Sequence, residues 1–176
     1  LFWEVDHNQR RMILDRFAVG RTILQEAAED VFPIAAREPA SDDLVMRALG
    51  YIDRRQRDRK ANDASPLGGL EGVVEQSVKG FTRELVDEGA RVANLQRSLL
   101  ERILSDMGGE ALGVLAKATG LSRRHLGYLC LGAGRAEGST AAEQAELVFD
   151  TLSVDKAQTI LRYWDWTFHR VARTAD

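Results

Sequence analysis

The sharpest chemical feature of the chain is a pair of arginines beside a helix-cap candidate. In "LAKATGLSRRHLGYLCLG", 115–132, Ala116 and Gly120 stand four residues apart. Leu115, Leu121, Leu126 and Leu129 fall where a helix-turn-helix needs apolar contacts, and Thr119 stands where an apolar residue is usual. On that reading Ser122 caps a recognition helix, and Arg123 and Arg124 reach phosphates or guanine edges. The other outward positions are Gly127, Tyr128 and Leu131. Between Ala111 and Ala136 no acid offsets Lys117, Arg123, Arg124 and Arg135. Against DNA stands "LGYLCL", which leaves little polar face after the first turn, so the helix is expected to be packed on several sides. A helical hairpin produces the same spacing for packing reasons alone. The hairpin is the preferred reading. The alternative is a DNA-binding transcriptional regulator with a helix-turn-helix at 112–131 and contacts from Ser122, Arg123, Arg124 and Tyr128.

A second constellation is "RYWDWTFHR", 162–170. Trp164 and Phe168 belong to an apolar stripe. Trp166 lies about 200° from Trp164 on a helical wheel and four residues from both Arg162 and Arg170. Such an aromatic can anchor a partner, or it can stack under the two guanidinium groups with no partner. Arg162, Trp166 and Arg170 are therefore the candidate partner surface. "DRRQRDRK", 53–60, carries five basic and two acidic residues and reads as a solvated helix end.

Catalytic chemistry has little to stand on. His7, His125 and His169 are scattered and no metal-ligand spacing occurs. Asp165 and His169, one turn apart, read as a surface ion pair. Gly132, Gly134 and Gly138 suggest a dinucleotide loop, but that loop needs a preceding strand and none is predicted. Cys130 is the only cysteine, lies in an apolar run and has no evident His or acid partner. A buried, inert thiol is expected. The reading assigns no catalytic, cofactor-binding or metal residue, no cofactor and no enzymatic activity.

The elements that would position these residues are helical throughout. The 176 residues are 44% hydrophobic and 29% charged, with a net charge of -3 that argues mildly against a generic nucleic-acid binder. No run approaches a membrane span, nothing in the opening residues reads as a signal peptide, and a cytoplasmic protein without membrane contact is expected. Asp6, with Gln9 three residues on, caps a first helix carrying Met12, Ile13, Phe17, Leu24, Ala27, Ala28 and Val31, with a division expected at Gly20. Pro33 and Pro39 break the pattern. Ser41 caps a helix whose stripe is Leu44, Val45, Ala48, Leu49 and Ile52. Val92, Leu95, Leu99, Leu100, Ile103 and Leu104 form the clearest apolar stripe, ended by Gly108 and Gly109. Short helices follow near 110–118 and 122–131, then one with a Thr140–Glu143 capping box. The last, capped by Ser153, carries Val154, Ala157, Ile160, Leu161, Trp164, Phe168 and Val171. The expectation is an all-α fold of packed helical hairpins, a bundle or a short helical-repeat-like array, with about eight or nine helices. One domain, 1–176, is expected, with a possible division into N-terminal helices (1–60) and a hairpin region (70–176) joined by a linker at 61–69. "FTRELVDEGARVANLQRSLL" and "ALGVLAKATGLSRRHLGYLC" hint at an internal repeat.

The segment 81–166 also resembles the bacterial family called domain of unknown function 2336. The carriers are Ile103, Leu104 and Asp106; Gly109, Glu110, Ala111 and Leu112; Gly120 and Leu121; and Trp164. The opening "LFWEVDHNQRRMIL" is similar to a segment that precedes this region. The resemblance implies an all-α fold and brings no activity or catalytic residue. The function expected is that of a non-catalytic helical module for protein interaction or regulation, with an unidentified protein partner or a second copy of itself.

Overall fold

The computed structural model of the chain describes residues 2–17 and 57–173, and within them the side chains of 2–15 and 57–165. The expected Gly20 division, the Pro33–Pro39 break and the helix after Ser41 lie outside the described residues. Among those described there are nine α-helices and no strand. They are α1 (His7–Phe17), α2 (Arg59–Asp63), α3 (Gly69–Gln76), α4 (Arg83–Ala93), α5 (Arg97–Ser105), α6 (Glu110–Thr119), α7 (Arg123–Gly132), α8 (Thr140–Thr151) and α9 (Val154–Arg173). Short 3-10 turns occupy Phe2–Glu4 and Ser77–Lys79. No helix among the described residues is long and apolar enough to cross a membrane.

Most helices start where a side chain can satisfy the free N–H groups of the first turn. Asp6 accepts from the Gln9 N–H at 2.9 Å, as its position predicts. Thr82 does the same for Leu85 and Ser122 for His125. The α8 cap lies one residue before the predicted Thr140: Ser139 accepts from Ala142, and Thr140 is already helical. Two adjacent hydroxyls compete for that role, and the extended backbone at Ser139 decides it. The stripe from Val92 to Leu104 is split between α4 and α5. Asn94, at φ 52°, turns the chain left-handed, and the Leu95 N–H closes on the Ala90 carbonyl at 3.0 Å.

The internal repeat exists in a different register from the one the sequence suggested. The pairs Gly68–Gly69 and Gly108–Gly109, Gly80 and Gly120, and caps Thr82 and Ser122 each stand forty residues apart. So do the left-handed residues Asn94 and Gly134, each followed by the same closing bond: Leu95 to Ala90, and Arg135 to Cys130. Thus α3–α4 and α6–α7 repeat one helical hairpin with its closing turn, whereas the third helices differ: α8 packs closely on α6, and α5 does not pack so on α3. The sequence pairing placed Phe81, which follows a turn, opposite Ala111, which precedes one.

Helix α6 is the centre of the molecule. Every residue from Glu110 to Ala116 is buried, as are Ala118 and Thr119. Its neighbours are α5, α7, α8 and α9. Contact with α8 is backbone-close. A Cβ on Gly109 would stand 1.9 Å from the Ala141 carbonyl oxygen, and one on Gly113 would stand 2.4 Å from that of Ala145. Small residues spaced by four on both helices allow this approach. Thr119, the departure from helix-turn-helix spacing, is fully buried and donates to the Leu115 carbonyl at 2.7 Å.

The stretch 61–69 holds the end of α2 and a tied turn. Asn62 Oδ1 accepts from the Leu70 N–H at 3.2 Å, and Ser65 Oγ donates to Glu88 at 2.6 Å. Just before it, Arg57 departs from the reading of 53–60 as a solvated helix end, while 58–60 are exposed and 53–56 lie outside the described residues. The Arg57 side chain is 9% exposed, bridges both Glu71 carboxylate oxygens at 2.7 Å and donates to the Thr119 carbonyl at 2.7 Å. This guanidinium is the first cause holding the Glu71 carboxyl below its usual range. Of the predicted α9 stripe, Ala157, Ile160, Leu161 and Trp164 are buried, while Val154 is 46% exposed. Phe168 and Val171 lie outside the described side chains.

The backbone contact gives a stability test. Gly113→Ala should lower the unfolding free energy in urea by about 1–3 kcal/mol, because the carbonyl it meets is fixed in α8. Gly127→Ala, whose Cβ meets nothing within 4 Å, should be neutral or stabilising. A Gly113→Ala protein as stable as the parent would contradict the packing described.

Candidate functional site

A charged cluster joins the N-terminus of α1 to that of α6. The Arg10 guanidinium grips Asp106 through two hydrogen bonds, of 2.6 and 3.0 Å, and reaches Glu110 Oε2 at 3.2 Å. It also donates to the Val5 and Trp3 carbonyls. Burial works against its charge, but the hydrogen bonds and charges of Asp106 and Glu110 outweigh that, so its pKa is raised. The other Glu110 oxygen bonds His7 Nδ1. Glu110 is wholly buried, whereas the His7 side chain is 43% exposed. Arg135 closes the loop beneath, donating to the Asp106 carbonyl at 2.7 Å and the Leu104 carbonyl at 3.3 Å.

None of these five residues was singled out as a site from sequence. The available signal was Asp106 and Glu110 one turn apart at the start of a largely apolar helix, where a buried acid needs a cation. His7 was read as one of three scattered histidines, and the fold carries it to Glu110. Among the described residues no three His, Cys, Asp or Glu side chains gather to hold a metal. Chemically the cluster presents one imidazole, oriented through Nδ1 by a fixed carboxylate.

The residues proposed for DNA contact lie together on the outer side of α7. Ser122, Arg123, Arg124, Gly127 and Leu131 are exposed and Tyr128 is half-buried. The inner side, Leu126, Leu129 and Cys130, packs among α3, the 3-10 turn at Ser77–Lys79, α6 and α8. Packing on several sides was expected of the hairpin, and Leu131, an outward position of the helix-turn-helix reading, is 39% exposed. The local basic patch is answered from α8. Arg123 donates to Asp150 at 2.7 Å and to Glu146 at 2.7 Å, and the Asp150 hydrogen bond leads the causes that raise its pKa. Arg124 lies over the Tyr128 ring, 5.3 Å from its centroid, and donates to its hydroxyl at 2.8 Å. Ser122 Oγ also bonds His125 Nδ1 at 2.7 Å.

On α9, Trp164 is 6% exposed. Phe2 and Trp3 enclose it, with ring centroids at 4.8 and 4.9 Å. Arg162 is half-buried, and the side chains of Trp166 and Arg170 lie outside those described. Tyr163, which sequence reasoning passed over, is 62% exposed.

Cys130 is 3% exposed, and burial pushes its thiol up to about 11. Since the thiolate is the nucleophile, a disulfide reagent at pH 8 should modify Cys130 slowly in the folded protein and promptly in denaturant. Prompt reaction in the folded state would contradict this burial.

No curated protein and no solved structure matches the chain. The model of a family described as "Uncharacterised protein conserved in bacteria (DUF2336)" matches residues 1–162, and the chain belongs to that family.

Proposed function

We propose that the chain is a non-catalytic helical module that binds a protein partner, or a second copy of itself, through the outward face of α9. The observation that carries this reading is the enclosure of Trp164 by Phe2 and Trp3, which turns the opposite side of α9 away from the core. Tyr163 is 62% exposed there. Trp166 stands three residues further on, about 200° from Trp164 on a helical wheel, with Arg162 and Arg170 one turn to either side. Two aromatics flanked by guanidinium groups have the composition of an interface anchor. A regulatory role is in keeping with a module that presents a rigid surface.

The alternative, a DNA-binding regulator, draws less support from the geometry of α7. Glu146 and Asp150 flank Arg123 with negative charge, where a phosphate would be repelled.

Pull-down from native bacterial extract should recover proteins that a Tyr163→Ala/Trp166→Ala variant loses at unchanged melting temperature. If the partner is a second copy, sedimentation at two concentrations should show association that the variant abolishes. Identical recovery and identical sedimentation for both proteins would overturn the proposal. Duplex binding that weakens steeply with salt and is lost on Arg123→Glu/Arg124→Glu would favour the DNA reading instead.

A further inference from the structure

Gly127 weakens its helix and has no packing role within one chain. A glycine in a helix interior is less favourable than alanine, so its presence calls for a packing reason. Each other glycine within a described helix has one. Gly69, Gly72, Gly89, Gly113 and Gly132 would all place a Cβ 3.3 Å or less from another atom, whereas one on Gly127 would meet nothing within 4 Å. The residues around Gly127 are equally unlike a solvated face. Tyr128 is half-buried and Leu131 is exposed. Ser77 lies against Gly132 at the end of the same helix, and its neighbour Val78 is exposed. The repeated hairpin supplies the reference. Forty residues earlier, on α4, the positions of Arg124, Gly127, Tyr128 and Leu131 hold Glu84, Asp87, Glu88 and Arg91. There Asp87 pairs with Arg97, and Glu88 with Arg91. The same face is closed by charge in the first hairpin and left largely apolar in the second.

We infer that this face of α7 takes a second copy of the chain, with two α7 helices crossing antiparallel at Gly127. Two features favour its own copy over another helix. The first is size. A backbone-close crossing needs small residues on both partners, as where Gly109 and Gly113 of α6 meet Ala141 and Ala145 of α8. A two-fold axis at Gly127 places a glycine on each side of the crossing. The second is charge. Arg124 stands in the first turn of α7, the positive end of the helix dipole, where a cation is disfavoured. Its hydrogen-bond partner is the neutral Tyr128 hydroxyl, with the Glu75 charge nearby. The last turn of α7 holds no basic residue. An antiparallel copy sets each Arg124 beside the negative, carbonyl end of the facing helix, where its charge is favourable. Leu131 of each copy then covers the aliphatic stem of the other Arg124. The contact is isologous, so association closes at a pair. A patch this small holds a weak, reversible dimer. The inference is independent of the partner surface on α9.

The test is sedimentation equilibrium of the intact chain over a concentration series. The parent should pass from monomer to dimer and no further. Gly127→Gln, which sets a long side chain at the crossing, should weaken association roughly tenfold or more at unchanged circular dichroism. Leu131→Glu should do the same, and it decides if the first variant fails to fold. Tyr163→Ala/Trp166→Ala should associate as the parent does, which separates this contact from one on α9. Oxidation of Gly127→Cys should give a disulfide-linked dimer roughly tenfold or more faster than oxidation of Asp87→Cys, the equivalent position on α4. A parent that stays monomeric, undiminished association in a folded Gly127→Gln or Leu131→Glu protein, loss of association in Tyr163→Ala/Trp166→Ala, or equal cross-linking at 127 and 87 would each overturn the inference.

Discussion

Helix α6 has almost no face for water, so its polar ends must be satisfied by protein. The last carbonyls of a helix and the first N–H groups have no partner within it. At the C-terminal end Arg57 donates to the Thr119 carbonyl, and Gln158 reaches that of Ala118 at 3.4 Å. At the N-terminal end Glu110 and Asp106 are buried acids, and Arg10 supplies the cation they require. Two buried carboxylates beside one guanidinium survive desolvation only with such geometry: a two-pronged grip and several acceptors. Both arginines come from outside the two repeated units. The N-terminal segment and the stretch around Arg57 therefore complete the core.

The same constraint explains the repeat. Each unit must turn sharply twice within forty residues, and left-handed residues at Gly80 and Asn94, then Gly120 and Gly134, mark the turns. The second unit differs because its first helix is enclosed. Glycines at 109 and 113 let α8 approach to backbone distance, and α9 covers another side.

Local chemistry was legible in the sequence where one residue decides one bond. Asp6 and Ser122 cap as their positions predict, Trp164 faces inward, and the turn at Gly120 forms. The all-α class followed from periodicity, and the family from the resemblance of 81–166 to it. Long-range pairing was not legible. Arg10 meets Asp106 across 96 residues, and His7 meets Glu110 across 103. No helical period encodes such a meeting. The basic look of Arg123 and Arg124 misled for a related reason: the acids that answer Arg123 lie on the next helix, 23 and 27 residues on. Charge along a segment says little about charge on a surface once helices fold back.

The central claim is that α6 can be buried only because arginines from outside the repeat answer its Thr119 carbonyl at one end and the buried Asp106 and Glu110 carboxylates at the other. Urea unfolding of Arg10→Met tests it most directly, with Arg11→Met, an exposed neighbour on the same helix, as the reference. Removing the cation from a buried pair should cost about 3–5 kcal/mol, against less than about 0.5 kcal/mol for the reference. Equal stability of the two variants would contradict it.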